Sequence, residues 1–193
     1  LGGLLGYANS DVSIASSINS GEVSGIGSYT GGLVGYADAN LNLESSQNSG
    51  TVSSTTDYVG GLSGYAGGNA IVTSSFNIAS VSGTDSVGGL LGYVEGSTLV
   101  VASSNSGTVM GTSIVAGLIG EVNLDATVSS SFNQGDISGS STIGGLAGYV
   151  EEELAVVSSF NIGNVAGSDS IGGLAADVGS LRANNAYNLG EVS

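Results

Sequence analysis

The 193-residue chain contains 35 glycines and no proline, cysteine, histidine or tryptophan, and its sixteen acidic residues stand against a single arginine, Arg182, for a formal charge of −15. These absences exclude a Ser-His-Asp triad, a thiol nucleophile, an ordinary zinc site and a lysine Schiff base, and one arginine cannot neutralise a row of phosphates, so no nucleic-acid partner is expected. With 40% hydrophobic and only 9% charged residues, the chain is neither a disordered acidic tail nor a collagen.

The chain repeats from its first residues. Leu4 follows Gly2-Gly3, and equivalent leucines recur at Leu33, Leu62, Leu90, Leu118, Leu146 and Leu174, at intervals of 29, 29, 28, 28, 28 and 28. Asparagines keep step with them: Asn19, Asn48, Asn77, Asn105, Asn133, Asn161 and Asn188, each opening an N-x-G-x-[VI] run in which only Ala79 replaces the glycine. The seven units span 1–29, 30–58, 59–86, 87–114, 115–142, 143–170 and 171–193, which leaves no stretch for a second domain or a linker. The chain opens inside one unit and stops inside another, so it is expected to be a segment of a longer protein.

Along each unit the apolar period is two, not 3.6. A first strand is predicted through G-G-L-x-G-Y, a second through the alternating stretch up to the asparagine, and a third through G-x-V-x-G. Ile14, Leu43, Val72, Val100, Val128 and Val156 form one apolar column, and Val23, Val52, Val81, Val109, Ile137, Val165 and Val192 form another. Phe76 and Phe160, which alternate with Ser75 and Ser159, are expected inside with the valines. Glycine and β-branched residues dominate, which argues against helix and against a leucine-rich horseshoe. Such a unit cannot bury its own apolar face, but stacked units can if each strand pairs in parallel with its equivalent in the next. The expected fold is therefore all-β: a parallel β-helix (β-solenoid) with three strands per coil and about seven coils of 28–29 residues, right-handed by analogy with common β-helices. At ~4.8 Å per coil the rod would be about 33 Å long.

The runs Val87-Gly88-Gly89-Leu90-Leu91-Gly92-Tyr93 and Ile143-Gly144-Gly145-Leu146-Ala147-Gly148-Tyr149, with a following S-S-F-N-x-G-x-[VI], resemble the GLUG repeat. The resemblance covers all seven units, with local departures at Ala116, Glu121 and Ala176-Asp177. GLUG repeats occur in large bacterial surface and adhesin-like proteins and in immunoglobulin A-cleaving metallopeptidases. The resemblance implies a β-solenoid at a cell surface. It implies no peptidase activity, because a chain without histidine cannot carry H-E-x-x-H.

Two columns are candidates for function. The asparagines read as a structural ladder at a bend, each amide bonding the next. The tyrosines Tyr7, Tyr36, Tyr65, Tyr93 and Tyr149 follow their leucines by three residues, interrupted by Glu121 and Asp177. If Leu90 faces inward, strict alternation turns Leu91 and Tyr93 outward, and with them Leu5, Val34 and Ile119. That stripe is larger than a soluble monomer usually exposes. It can be buried by a local bend, covered by another protein segment or a neighbouring solenoid, or serve as an aromatic platform for glycan. A covered face is the working expectation. Leu99, Val101, Ala155 and Val157 form a smaller outward patch.

Acidic residues gather at the bends, among them Asp57, Asp85, Glu95, Asp125 and Glu151 to Glu153. They read as solvated charge. Calcium bridging between coils is the sharper alternative, and no other cofactor or metal is expected. Near-constant coil length and the lack of basic residues argue against an enzyme. No apolar run is long enough to span a membrane as a helix. The expected role is structural: an adhesin stalk or fibre building block in an extracellular, cell-surface setting, associating with protein by end-to-end or lateral self-association or through the rest of its parent protein. The alternative is a binding module for glycan or host protein.

Overall fold

Each strand of a unit is too short to fold alone, and stacking supplies its partner. The computed structural model describes residues 1–193, contains no helix, and pairs strands in parallel across neighbouring coils. Val72 lies opposite Leu43 on one side and Val100 on the other, and Val81 lies between Val52 and Val109. The chain is a β-solenoid of seven coils.

The three predicted runs are all present, subdivided by sharp bends. In the third coil they comprise Val59–Gly60, Ser63–Ala66, Ala70–Thr73, Phe76–Asn77 and Val81–Ser82. The segments stack into four sheets. The largest combines the Ser63–Ala66 and Ala70–Thr73 types, which the single long strand Ala147–Val157 joins in the sixth coil. The change of coil length is absorbed in one turn. Seven positions separate Val52 from Val59, but six separate Val81 from Val87.

Two apolar cores run along the axis. The larger holds Leu33, Leu62, Leu90, Leu118 and Leu146 of the leucine column together with residues such as Leu91, Val94, Val100 and Leu154, all fully or almost fully buried. The smaller holds Val52, Val59, Val81, Val87, Val109, Val115, Ile137, Ile143 and Val165. Each buried Leu, Ile or Val side chain contributes about 1.5–3 kcal/mol.

Between the cores the coil narrows to a waist of asparagine against glycine. A Cβ on Gly89 would stand 2.5 Å from Asn105 Cγ and 2.0 Å from the carbonyl oxygen of Gly117. The same clash recurs at Gly61 with Asn77 and at Gly117 with Asn133. No glycine in the chain has positive φ. The Gly-Gly pairs therefore serve close approach of backbone to backbone and to the asparagine, not a left-handed turn.

Seven of the ten left-handed positions fall at one other corner. Ser16, Ser45, Ser74, Ala102, Ser130, Ser158 and Asn185 have φ between 48° and 52°. This corner lies between the alternating strand and the asparagine strand, and it changes which side chains point inward. The serine after it is buried, as at Ser46, Ser75, Ser103, Ser131 and Ser159. The phenylalanine that follows is turned out: Phe76 is exposed and Phe132 and Phe160 are half-buried. The expectation that phenylalanines join the internal columns is thus corrected. Alternation does not carry through a left-handed residue, and Phe132, Phe160 and Tyr187 instead stack on the outer surface, 5.1 and 5.0 Å apart.

Candidate functional site: the asparagine and tyrosine columns

The seven asparagines form one continuous ladder. Nδ2 of each donates to Oδ1 of the next, from Asn19 to Asn188, at 2.7–2.8 Å. Each Nδ2 also donates to the carbonyl two residues on, as Asn105 does to Gly107 at 2.8 Å. All bonds point the same way along the axis. Both amide hydrogens are used, so hydrogen bonds offset the cost of desolvating the five asparagines that are fully buried.

A parallel serine ladder was not singled out from the sequence. The amide N–H of Ser75 donates to Oγ of Ser103 at 3.1 Å, and Ser103 Oγ donates to the carbonyl of Val101 at 2.8 Å. The arrangement repeats at Ser46, Ser131 and Ser159. These bonds offset the cost of the left-handed residue beside them, about 1–2 kcal/mol. The recurring Ser-Ser before Phe-Asn was the available signal, but alternation placed its second serine outside.

The predicted interaction face divides. Val34, Leu91 and Ile119 are buried at 0–1% exposure and belong to the larger core, and Leu5 is half-buried against it. Their expected outward orientation is corrected by the geometry of the corner at the preceding leucine. The N–H groups of Leu90 and Leu91 both donate to the carbonyl of Leu118, at 2.9 and 3.0 Å, so two consecutive side chains lie within the core. The same double donation occurs at Leu33 and Val34 and at Leu118 and Ile119.

The tyrosines remain near the surface. Tyr36, Tyr93 and Tyr149 are half-buried, Tyr65 is 9% exposed, and Tyr7 in the first coil is 63% exposed. Tyr7, Tyr36, Tyr65 and Tyr93 stack along the axis with centroids 5.0, 4.5 and 5.3 Å apart and rings within 10° of parallel. Tyr29 and Tyr58, in the two longer turns, form a second stack at 5.4 Å and meet the first edge-on. The periodic motif shows the first column, whereas the second follows only from which turns are longer. The small patch of Leu99, Val101, Ala155 and Val157 faces outward, with Leu99 exposed and the others half-buried.

Hydrogen bonds tie the phenols down. Tyr36 donates to Asp38, and this bond, with burial, pushes its pKa up to about 12. Burial and then a bond to Glu95 push Tyr65 up further. Burial also raises Tyr93, opposed by the bond that Asn123 donates to its hydroxyl. Where Glu121 interrupts the column its carboxyl is raised, mainly by burial, although Ser86 donates a bond to it.

Four aspartates at the bends accept backbone hydrogen bonds from the next coil. Asp11 takes the N–H of Asn40, Asp125 that of Glu153, and Asp136 that of Asn164, at 2.9–3.2 Å. Asp85 takes the N–H of Ser86 and of Ile114. No three carboxylates converge on a point where a metal ion could sit. Arg182 approaches Glu153 at 3.7 Å in an exposed pair that contributes about 1 kcal/mol at most. No family model, curated protein or solved structure matches the chain.

Proposed function

We propose that the chain is a structural segment of an extracellular surface protein, built of GLUG-type repeats and acting as a stalk or fibre element. The observation that carries this reading is the unbroken, one-directional asparagine ladder spanning all seven coils. Every coil presents the next with the same donors and acceptors, so the architecture is specified along its axis. The strands Val12–Ala15 and Ala175–Asn184 each pair on one side only. Identical pairing would let a further coil, of the same polypeptide or of a second copy stacked head to tail, add to the rod. A one-directional ladder fits such a heterologous contact and not a two-fold one. End-to-end contact is favoured over lateral contact because a net charge of −15 makes the sides of identical rods repel.

The glycan-platform alternative has less support. Sugars stack on ring faces, and both faces of Tyr36 and Tyr65 at the middle of the stack are taken by neighbouring tyrosines. Small-angle scattering over a concentration series, run beside a glycan array, tests the proposal. Particle length is expected to grow with concentration at constant cross-section, with no saturable glycan binding. Glycan binding that is lost on Tyr36→Ser or Tyr93→Ser would overturn it in favour of a binding module.

A further inference from the structure

A rod needs no aromatic cluster bonded to carboxylates, yet six of the eight tyrosines lie in one. Tyr65 is at its centre. It stacks on Tyr36 at 4.5 Å and Tyr93 at 5.3 Å and meets Tyr29 and Tyr58 edge-on at 5.1 and 6.1 Å. It is the most buried tyrosine, and its hydroxyl donates to the carboxylate of Glu95. We infer that this cluster is a redox site, which takes one oxidising equivalent from a diffusing one-electron oxidant and holds it as a neutral radical on Tyr65, with Glu95 receiving the phenolic proton.

The chemistry follows from what a phenol does on losing an electron. Its radical cation is a strong acid, so oxidation is favoured where a base already accepts a hydrogen bond from the phenol. One electron leaves the Tyr65 ring for the oxidant, the O–H bond breaks, and the proton bonds to the Glu95 carboxylate. The products are a neutral phenoxyl radical, a neutral carboxylic acid and the oxidant reduced by one electron. The oxidant need not reach Tyr65 itself. Tyr36 and Tyr93 are half-exposed and in ring contact with it, so an electron vacancy created on either passes inward over one step of about a ring-stacking distance. Tyr36 has its own proton acceptor in Asp38, but Tyr65 is the ring shielded from solvent reductants.

The stack also protects the radical from coupling. A dityrosine bond lies in the plane of both rings, whereas these rings are face to face within 10°. The bond cannot form without dismantling the stack.

The test uses the full chain, with photogenerated tris(bipyridine)ruthenium(III) as oxidant, persulfate as terminal electron acceptor, and electron paramagnetic resonance after freeze-quenching. A persistent tyrosyl signal is expected. Tyr65→Phe, which keeps the ring, and Glu95→Gln, which keeps an acceptor but not a base, should each reduce it several-fold while circular dichroism stays unchanged. Tyr149→Phe, outside the cluster, should leave the signal as it is. An undiminished signal in Tyr65→Phe or Glu95→Gln, its loss in Tyr149→Phe, or dityrosine as the main wild-type product would overturn the inference.

Discussion

Removing one rung from the middle of the asparagine ladder should cost far more than removing one at its end. Asn105 is fully buried; it accepts from Asn77 at 2.8 Å and donates at 2.8 Å to both Asn133 and the carbonyl of Gly107. Asn105→Ala leaves one N–H of Asn77, Oδ1 of Asn133 and the Gly107 carbonyl without those partners. At a low-end ~1 kcal/mol for each orphaned buried group, the loss is about 3 kcal/mol. Asn188 is half-buried, accepts from Asn161 at 2.7 Å and donates to Gly190 at 2.8 Å. Water can replace those partners, so Asn188→Ala should cost less than about 1 kcal/mol. Urea unfolding followed by far-ultraviolet circular dichroism gives the totals. Amide hydrogen exchange around Asn77 and Asn133 shows whether the loss is local, since stacked repeats can open coil by coil. Equal, small effects of the two substitutions would refute the view that the ladder holds the coils together.

Three further outcomes follow from individual positions. Gly89→Ala places a Cβ 2.0 Å from a backbone oxygen, whereas Gly27→Ala meets nothing within 4 Å; thermal melting should show a loss of about 3 kcal/mol or more for the first and none for the second. Thr98 Oγ1 is a buried polar atom without a partner, so Thr98→Val should raise stability by about 1 kcal/mol, read from the same melts. Glu121 has its folded-state pKa raised above the ordinary 4.5, so the folded chain binds its proton more tightly than the unfolded chain. Its contribution to stability is most favourable at low pH and is lost as pH rises through the folded pKa. Glu121→Gln should therefore raise the melting temperature at neutral pH and remove that part of the pH dependence. A fall in stability with rising pH that is the same in Glu121→Gln as in the wild type would contradict the assignment.

Legibility differed between residues of the same repeat. Leu90, Val100 and Val109 were legible as core because each recurs in a column and the columns pair in register. Asn105 was legible as a ladder because a polar residue repeated at a bend finds its own amide one coil away. Leu91 and Phe76 were not. Alternation in twos from a neighbour crosses a bend that resets it, at the double donation to Leu118 and at Ser74 with φ 49°. Tyr58 is not legible for another reason: only two coils carry its column, so it has no seven-fold repetition.

By itself, the amino-acid sequence determined the seven coils, their parallel register, the two valine columns and the reliance on glycine in place of proline. All are properties of periodicity, and a repeated unit that cannot bury its own apolar face must bury it against its copies. Only the tertiary structure decided that two cores are pinched by an asparagine–glycine waist, that serine goes in where phenylalanine goes out, and that four aspartates at the bends cap the next coil. These depend on single backbone torsions at the corners and on contacts between residues far apart within a coil, to which the repeat period is blind. The few charged residues, nearly all acidic, lie on the outside of the stacked coils, while the tyrosine cluster on their flank arises where coil length and corner geometry bring two columns together.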